Sequence, residues 1–123
     1  GHHTISHDVA TGHWEEWGRL DRWYSKQFSY FLDKMKNTTD VNGSLLDNTL
    51  ILYGSACSTT HNARNYPLIL AGGSDLGVKH GSYTVFEEKD ERMSNLLLSM
   101  LNKLDIEKES FSDSTGKLST NII

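Results

Sequence analysis

The sequence predicts an α/β fold in which buried central strands are covered by helices, and three observations predict it. Two short runs, Leu50 to Tyr53 and Leu68 to Ala71, are apolar without alternation and are bounded by turn formers, as strands buried on both faces are. Between Trp14 and Met35 the apolar side chains recur at steps of three and four, the period of an amphipathic helix. Met93, Leu96, Leu97, Met100, Leu101 and Leu104 repeat that period in a second helix.

In the long helix Trp17, Leu20, Tyr24, Phe28, Phe31 and Met35 form the stripe, while Glu15, Glu16, Arg19, Arg22 and Lys26 fall largely elsewhere. So many aromatic side chains in one helix read as a core stripe first and a stacking surface for a ligand second. Asn37-Thr38-Thr39-Asp40 and Asn42-Gly43-Ser44 are turn formers that close the helix and make a loop. The strand Leu50 to Tyr53 follows, between Asp47-Asn48 and Gly54-Ser55. Ser55 to Tyr66 then forms a loop at the end of a buried strand, where α/β sheets place ligands, and it carries Cys57, Ser58, Thr59, Thr60, His61, Asn62 and Arg64.

The strand Leu68 to Ala71 lies between Pro67 and Gly72-Gly73. Ser82 to Phe86 alternates as an edge strand or hairpin arm does. Glu87, Glu88, Asp90 and Glu91 precede the second helix, on the side its dipole favours, and its apolar stripe reads as core. Beyond Ile106 the composition turns polar, so residues 107–123 read as a surface tail anchored by Phe111 and Leu118.

With 123 residues, 37% of them hydrophobic, the chain fits one domain, 1–123, with a modest core. A net charge of -4 and scattered Lys and Arg lack the footprint of a nucleic-acid binder. The apolar runs are too short for a transmembrane segment. The single cysteine, Cys57, permits no internal disulfide and reads as a packed small hydrophobe.

The richest concentration of ligand-type side chains is His3-Thr4-Ile5-Ser6-His7-Asp8. One helical turn, or a tight loop, would converge His3 and His7 on a metal or an anionic substrate. Asp8 can ligate, orient a histidine or cap a helix. The alternative is that Gly1-His2-His3 is partly an expression remnant. His13 and His80 read as solvated, and Tyr53 and Tyr66 as packed at strand ends.

Four stretches taken together carry a resemblance: His3-Thr4-Ile5-Ser6-His7; Ser44-Leu45-Leu46-Asp47-Asn48-Thr49; His61 ahead of Tyr66-Pro67-Leu68-Ile69-Leu70-Ala71-Gly72-Gly73; and Phe111-Ser112-Asp113-Ser114-Thr115-Gly116. Their order resembles the C-terminal part of a bacterial family, common in planctomycetes, named for its HxxSHH signature. This chain departs from the signature in having Asp8 where a second His ends it. A carboxylate can replace an imidazole as a metal ligand but is a poor proton donor near neutral pH.

That family is distantly similar to the alkaline phosphatase and sulfatase superfamily. The resemblance implies a partial α/β/α sandwich, the C-terminal portion of a larger protein, with a divalent metal (zinc, manganese or calcium) at the strand ends. It implies His3 and His7 as a first ligand pair, His61 as the lone histidine before Pro67, Asp8 as a further ligand, and Arg64 as an anion clamp. It also implies a periplasmic or extracellular location.

The superfamily's Asp-His pair has no counterpart after the first strand, where Gly54-Ser55-Ala56-Cys57 offers only a thiol. Two-metal ester hydrolysis needs both ions, so the chain is expected not to be catalytic alone. Two function classes follow: the metal-binding C-terminal half of a phosphate- or sulfate-ester hydrolase, or a non-catalytic binding or oligomerisation module. The expected partner is an N-terminal half or a second copy, because two or three strands with two helices leave an edge uncovered.

Overall fold

The computed structural model describes residues 1–8, 11–59, 61–87, 91–118 and 122–123. Thr60, Glu88, Asp90 and the side chain of Asp8 lie outside the described residues. The fold is mixed α/β: helices α1 (His2–Asp8), α2 (Trp14–Asn37) and α3 (Met93–Lys103), and four short strands. Strands β1 (Thr39–Asp40) and β2 (Gly43–Ser44) form one antiparallel sheet, and β3 (Ile51–Gly54) and β4 (Leu68–Ala71) another.

Helix α2 starts with Glu15 and Glu16 in its first turn and ends with Lys34 and Lys36 in its last, both matched to the helix dipole. At its end the Thr38 hydroxyl donates to the Lys34 carbonyl at 2.8 Å and the Asn37 amide to the Asp33 carbonyl at 2.7 Å, satisfying carbonyls the helix leaves open. The chain then reverses in a hairpin where a loop is expected from sequence. Asp40 accepts from the Asn42 N–H at 2.7 Å, and Gly43 takes a left-handed φ of 107°.

The expected strands are present, but their setting differs from expectation. They pair antiparallel with Ile51 opposite Ala71 and Gly54 opposite Leu68. No residue of either is fully buried, and Ile69 is 50% exposed. Two apolar faces on a two-stranded ribbon cannot both be covered by so few elements. Ser82 to Phe86 forms no strand.

The ribbon is tied to the segment before it by close backbone approach at Gly72 and Gly73, both at φ 73°. A Cβ on Gly72 would lie 2.2 Å from the Thr49 carbonyl oxygen, so only glycine fits. The Gly73 N–H donates to the Leu46 carbonyl at 2.9 Å, and the Ser74 hydroxyl to the Asp47 carboxylate at 2.6 Å.

The core sits under α3, where Leu98 is 1% exposed; Val78 is the other buried apolar residue described. Leu98 is not on the stripe expected from sequence, and Met93 and Leu104, which are, stand 38% and 45% exposed. Ser94, Asn95 and Ser99 are buried beside Leu98, and Asn95 and Ser99 hold the tail. The Asn95 carbonyl oxygen of the side chain accepts from the Thr115 N–H at 2.9 Å, and Ser99 Oγ from the Leu118 N–H at 2.8 Å. Arg92 donates to the Asp113 backbone carbonyl at 2.6 Å. The tail is thus held at the backbone of Leu118, and Phe111 is 41% exposed.

Candidate functional site

Helix α1 is seven residues long, and a spacing of four puts His3 and His7 on one face, with ring centroids 4.5 Å apart. The Ser6 hydroxyl donates to the His3 carbonyl at 2.7 Å, and the Ile5 N–H to that of Gly1 at 3.1 Å, fixing the turn. The His2 ring lies 5.3 Å from Trp17 and 5.8 Å edge-on to Tyr24, which docks α1 against α2. His2 was the residue most easily set aside in the sequence. The signal that could have found it is the seven-residue spacing of Trp17 and Tyr24, which lines them up on one side of α2.

His61 comes from the other end of the site. Its loop is a tight turn in which the Asn62 N–H donates to the Thr59 carbonyl at 3.2 Å and the Ser58 N–H to that of Asn62 at 2.9 Å. At the tip His61 takes a left-handed φ of 56°, uncommon for a residue with a side chain. The turn projects the imidazole to 5.1 Å from His7, at an interplanar angle of 66°. His7 therefore stands between His3 and His61, and all three are exposed.

Imidazole is a good ligand for zinc and its neighbours, and neutral rings each offer one lone pair. Two imidazoles sharing a zinc ion stand roughly 5 Å apart by their centres, given nitrogen bonds of about 2 Å. The pair separations here match that. His7 is against both other rings, however, and among the described residues no group of three His, Cys, Asp or Glu is set around one point. Donor chemistry and pair spacing fit a metal; a closed ligand set does not, and the exposed rings must turn to make one.

The other candidates are placed as follows. Asp8 ends α1 directly after His7. Arg64 lies on the His61 loop, exposed and already engaged in an interaction. Cys57 is a half-buried free thiol on the same loop, where the Ser55 hydroxyl donates to its carbonyl at 2.6 Å.

The tyrosines pack, as expected: Tyr53 stacks on Phe28 at 4.2 Å, and the Tyr66 hydroxyl points to the Met93 sulfur at 3.2 Å. His80 is exposed, yet its Nε2 lies 2.8 Å from the Gly72 carbonyl, so it braces the Gly72-Gly73 turn. Compared with models of known families, with curated proteins and with solved structures, the chain matches none.

Proposed function

We propose that the chain is a metal-binding portion of a phosphate- or sulfate-ester hydrolase-like protein of the HxxSHH type, and that it is not catalytic alone. In this reading the chain contributes the C-terminal part of a larger α/β/α sandwich acting outside the cytoplasm. His3, His7 and His61 hold zinc or manganese, with Asp8 as a fourth donor and Arg64 facing the anion. The observation that carries it is the ring contact between His7 and His61, residues 54 positions apart in the chain. The two rings meet through the tertiary fold and not through local chain geometry, which makes a shared ligand the simplest common role for them.

The test is metal content by plasma emission after loading with zinc or manganese and desalting. The expected result is about one ion per chain, lost in His7→Ala and in His61→Ala and kept in His13→Ala. Retention by both site variants, or no ion in the parent, overturns the reading. Turnover of aryl phosphate or aryl sulfate by the purified chain with either metal would contradict its non-catalytic part.

A second reading, a non-catalytic oligomerisation module, is favoured by a different observation. Trp14, Trp23, Tyr24, Tyr30 and Phe31 of α2 are between 38% and 65% exposed. No helix among the described residues is long and apolar enough to cross a membrane, so these rings do not mark a spanning segment.

A further inference from the structure

We propose that two copies of this chain associate through α2, packed antiparallel along the stripe Glu16, Leu20, Trp23, Gln27, Tyr30 and Lys34. The inference deepens the oligomerisation reading and is independent of whether the histidines hold an ion.

The first argument is surface. The chain exposes 8976 Å² at a mass of 13.9 kDa, whereas a compact monomer of that mass exposes about 6,700 Å². The difference, roughly 2,300 Å², is of the size one protomer buries in an obligate homodimer, where the total runs to about 2,000–5,000 Å². Among the exposed large hydrophobic residues, Trp14, Trp23, Tyr24, Tyr30 and Phe31 lie on α2.

The second argument is spacing. The six residues are separated by four, three, four, three and four positions, so they share one face of α2, with Leu20, Trp23 and Tyr30 as its apolar members. The stripe lies about 100° around α2 from the side carrying Phe28 and Met35. On that other side Phe28 stacks on Tyr53, and the Met35 carbonyl accepts from the Leu46 N–H at 3.3 Å. Trp23 and Tyr30, at 54% and 60% exposure, stand clear of this packing.

The third argument is charge. An antiparallel partner pairs positions whose numbers have a constant sum, and here that sets Glu16 against Lys34, Leu20 against Tyr30 and Trp23 against Gln27, each twice by symmetry. The stripe is therefore complementary to itself in one direction only, because a parallel partner would set Glu16 on Glu16 and Lys34 on Lys34. Among the described residues Glu16 has long, exposed contacts, 3.8 Å to His13 and 3.7 Å to Arg19, which are weak enough to give way. Lys34 rests over the Tyr30 ring at 5.3 Å, already at the end of the seam.

Sedimentation equilibrium of the full chain tests this, with circular dichroism verifying each variant's helix content. The parent is expected as a dimer of twice 13.9 kDa at micromolar concentration. Glu16→Lys alone and Lys34→Glu alone each weaken the dimer at least about tenfold, since each sets two like charges together. The two single variants mixed form a heterodimer, and the double variant Glu16→Lys with Lys34→Glu dimerises like the parent. A monomeric parent overturns the proposal. So does a parent dimer indifferent to the single reversals, or one that the double variant fails to restore. Metal content in the same samples reads the histidine proposal separately.

Discussion

Helix α2 is 24 residues long and has no fully buried residue, whereas α3 is 11 residues long and has four. The difference lies in what each helix has for a neighbour. Around α3 the tail between Phe111 and Leu118 wraps close and brings its own unpaired N–H groups, so α3 answers with Asn95 and Ser99 beside Leu98. Every one of those polar groups is satisfied inside the fold except Ser94 Oγ, which makes no well-formed hydrogen bond. Among the described residues the main neighbours of α2 are the short α1, one tyrosine of the ribbon and the end of the hairpin. Its aromatic surface exceeds what those neighbours cover. One region is finished internally, and the other leaves aromatic side chains open.

This contrast can be broken most directly by truncation on each side. Leu98→Ala should lower unfolding stability by about 3 kcal/mol in urea titration, because a fully enclosed side chain leaves a cavity. Trp14→Ala, on the outer side of α2, should change it by less than about 0.5 kcal/mol despite removing the larger side chain. Similar losses at the two positions would erase the distinction.

A smaller effect sharpens how α3 holds the tail. Asn95→Ala strands the Thr115 N–H and should cost roughly 2 kcal/mol, with faster amide exchange at Thr115 and Leu118. Unchanged exchange at both would mean the tail is held by something other than this side chain.

The smallest effect concerns pH. The Asp113 carboxyl is held below the ordinary aspartate value, first by the nearby Ser94 hydroxyl and then by the Arg92 guanidinium at 3.3 Å, with desolvation opposing. The Ser94 approach is electrostatic, since it lacks the geometry of a full hydrogen bond. A carboxyl with a depressed folded pKa stabilises the fold above its unfolded value and loses that contribution as pH falls through the folded one. Tail attachment should therefore weaken only below about pH 4. Carboxyl carbon chemical shifts would check it, and an Asp113 midpoint at or above that of an unfolded peptide would refute it.

Much of the fold was legible because it is local. The three-and-four spacing from Trp17 to Met35 gave a helix that runs Trp14–Asn37, and the unbroken apolar runs gave strands at Ile51–Gly54 and Leu68–Ala71. Leu98 was not legible, because it lies off the expected stripe, on the side of α3 where Asn95 and Ser99 hold the tail. The hairpin at Asp40 to Gly43 was read as a loop, since two-residue strands carry too little pattern to register.

The site divides in the same way. The neighbouring pair His3 and His7 follows from helix geometry alone, and no knowledge of the rest of the chain is needed to put the rings 4.5 Å apart. That His61 joins them depends on a left-handed backbone at its own position, on the turn that creates it, and on His2 docking α1 against Trp17 and Tyr24. Sequence by itself determined the periods, the turns and the chemistry of the donors, because these are set within a few residues of each position. Only tertiary structure decided which helix face is left open and which histidines meet, because both depend on neighbours brought in from far along the chain.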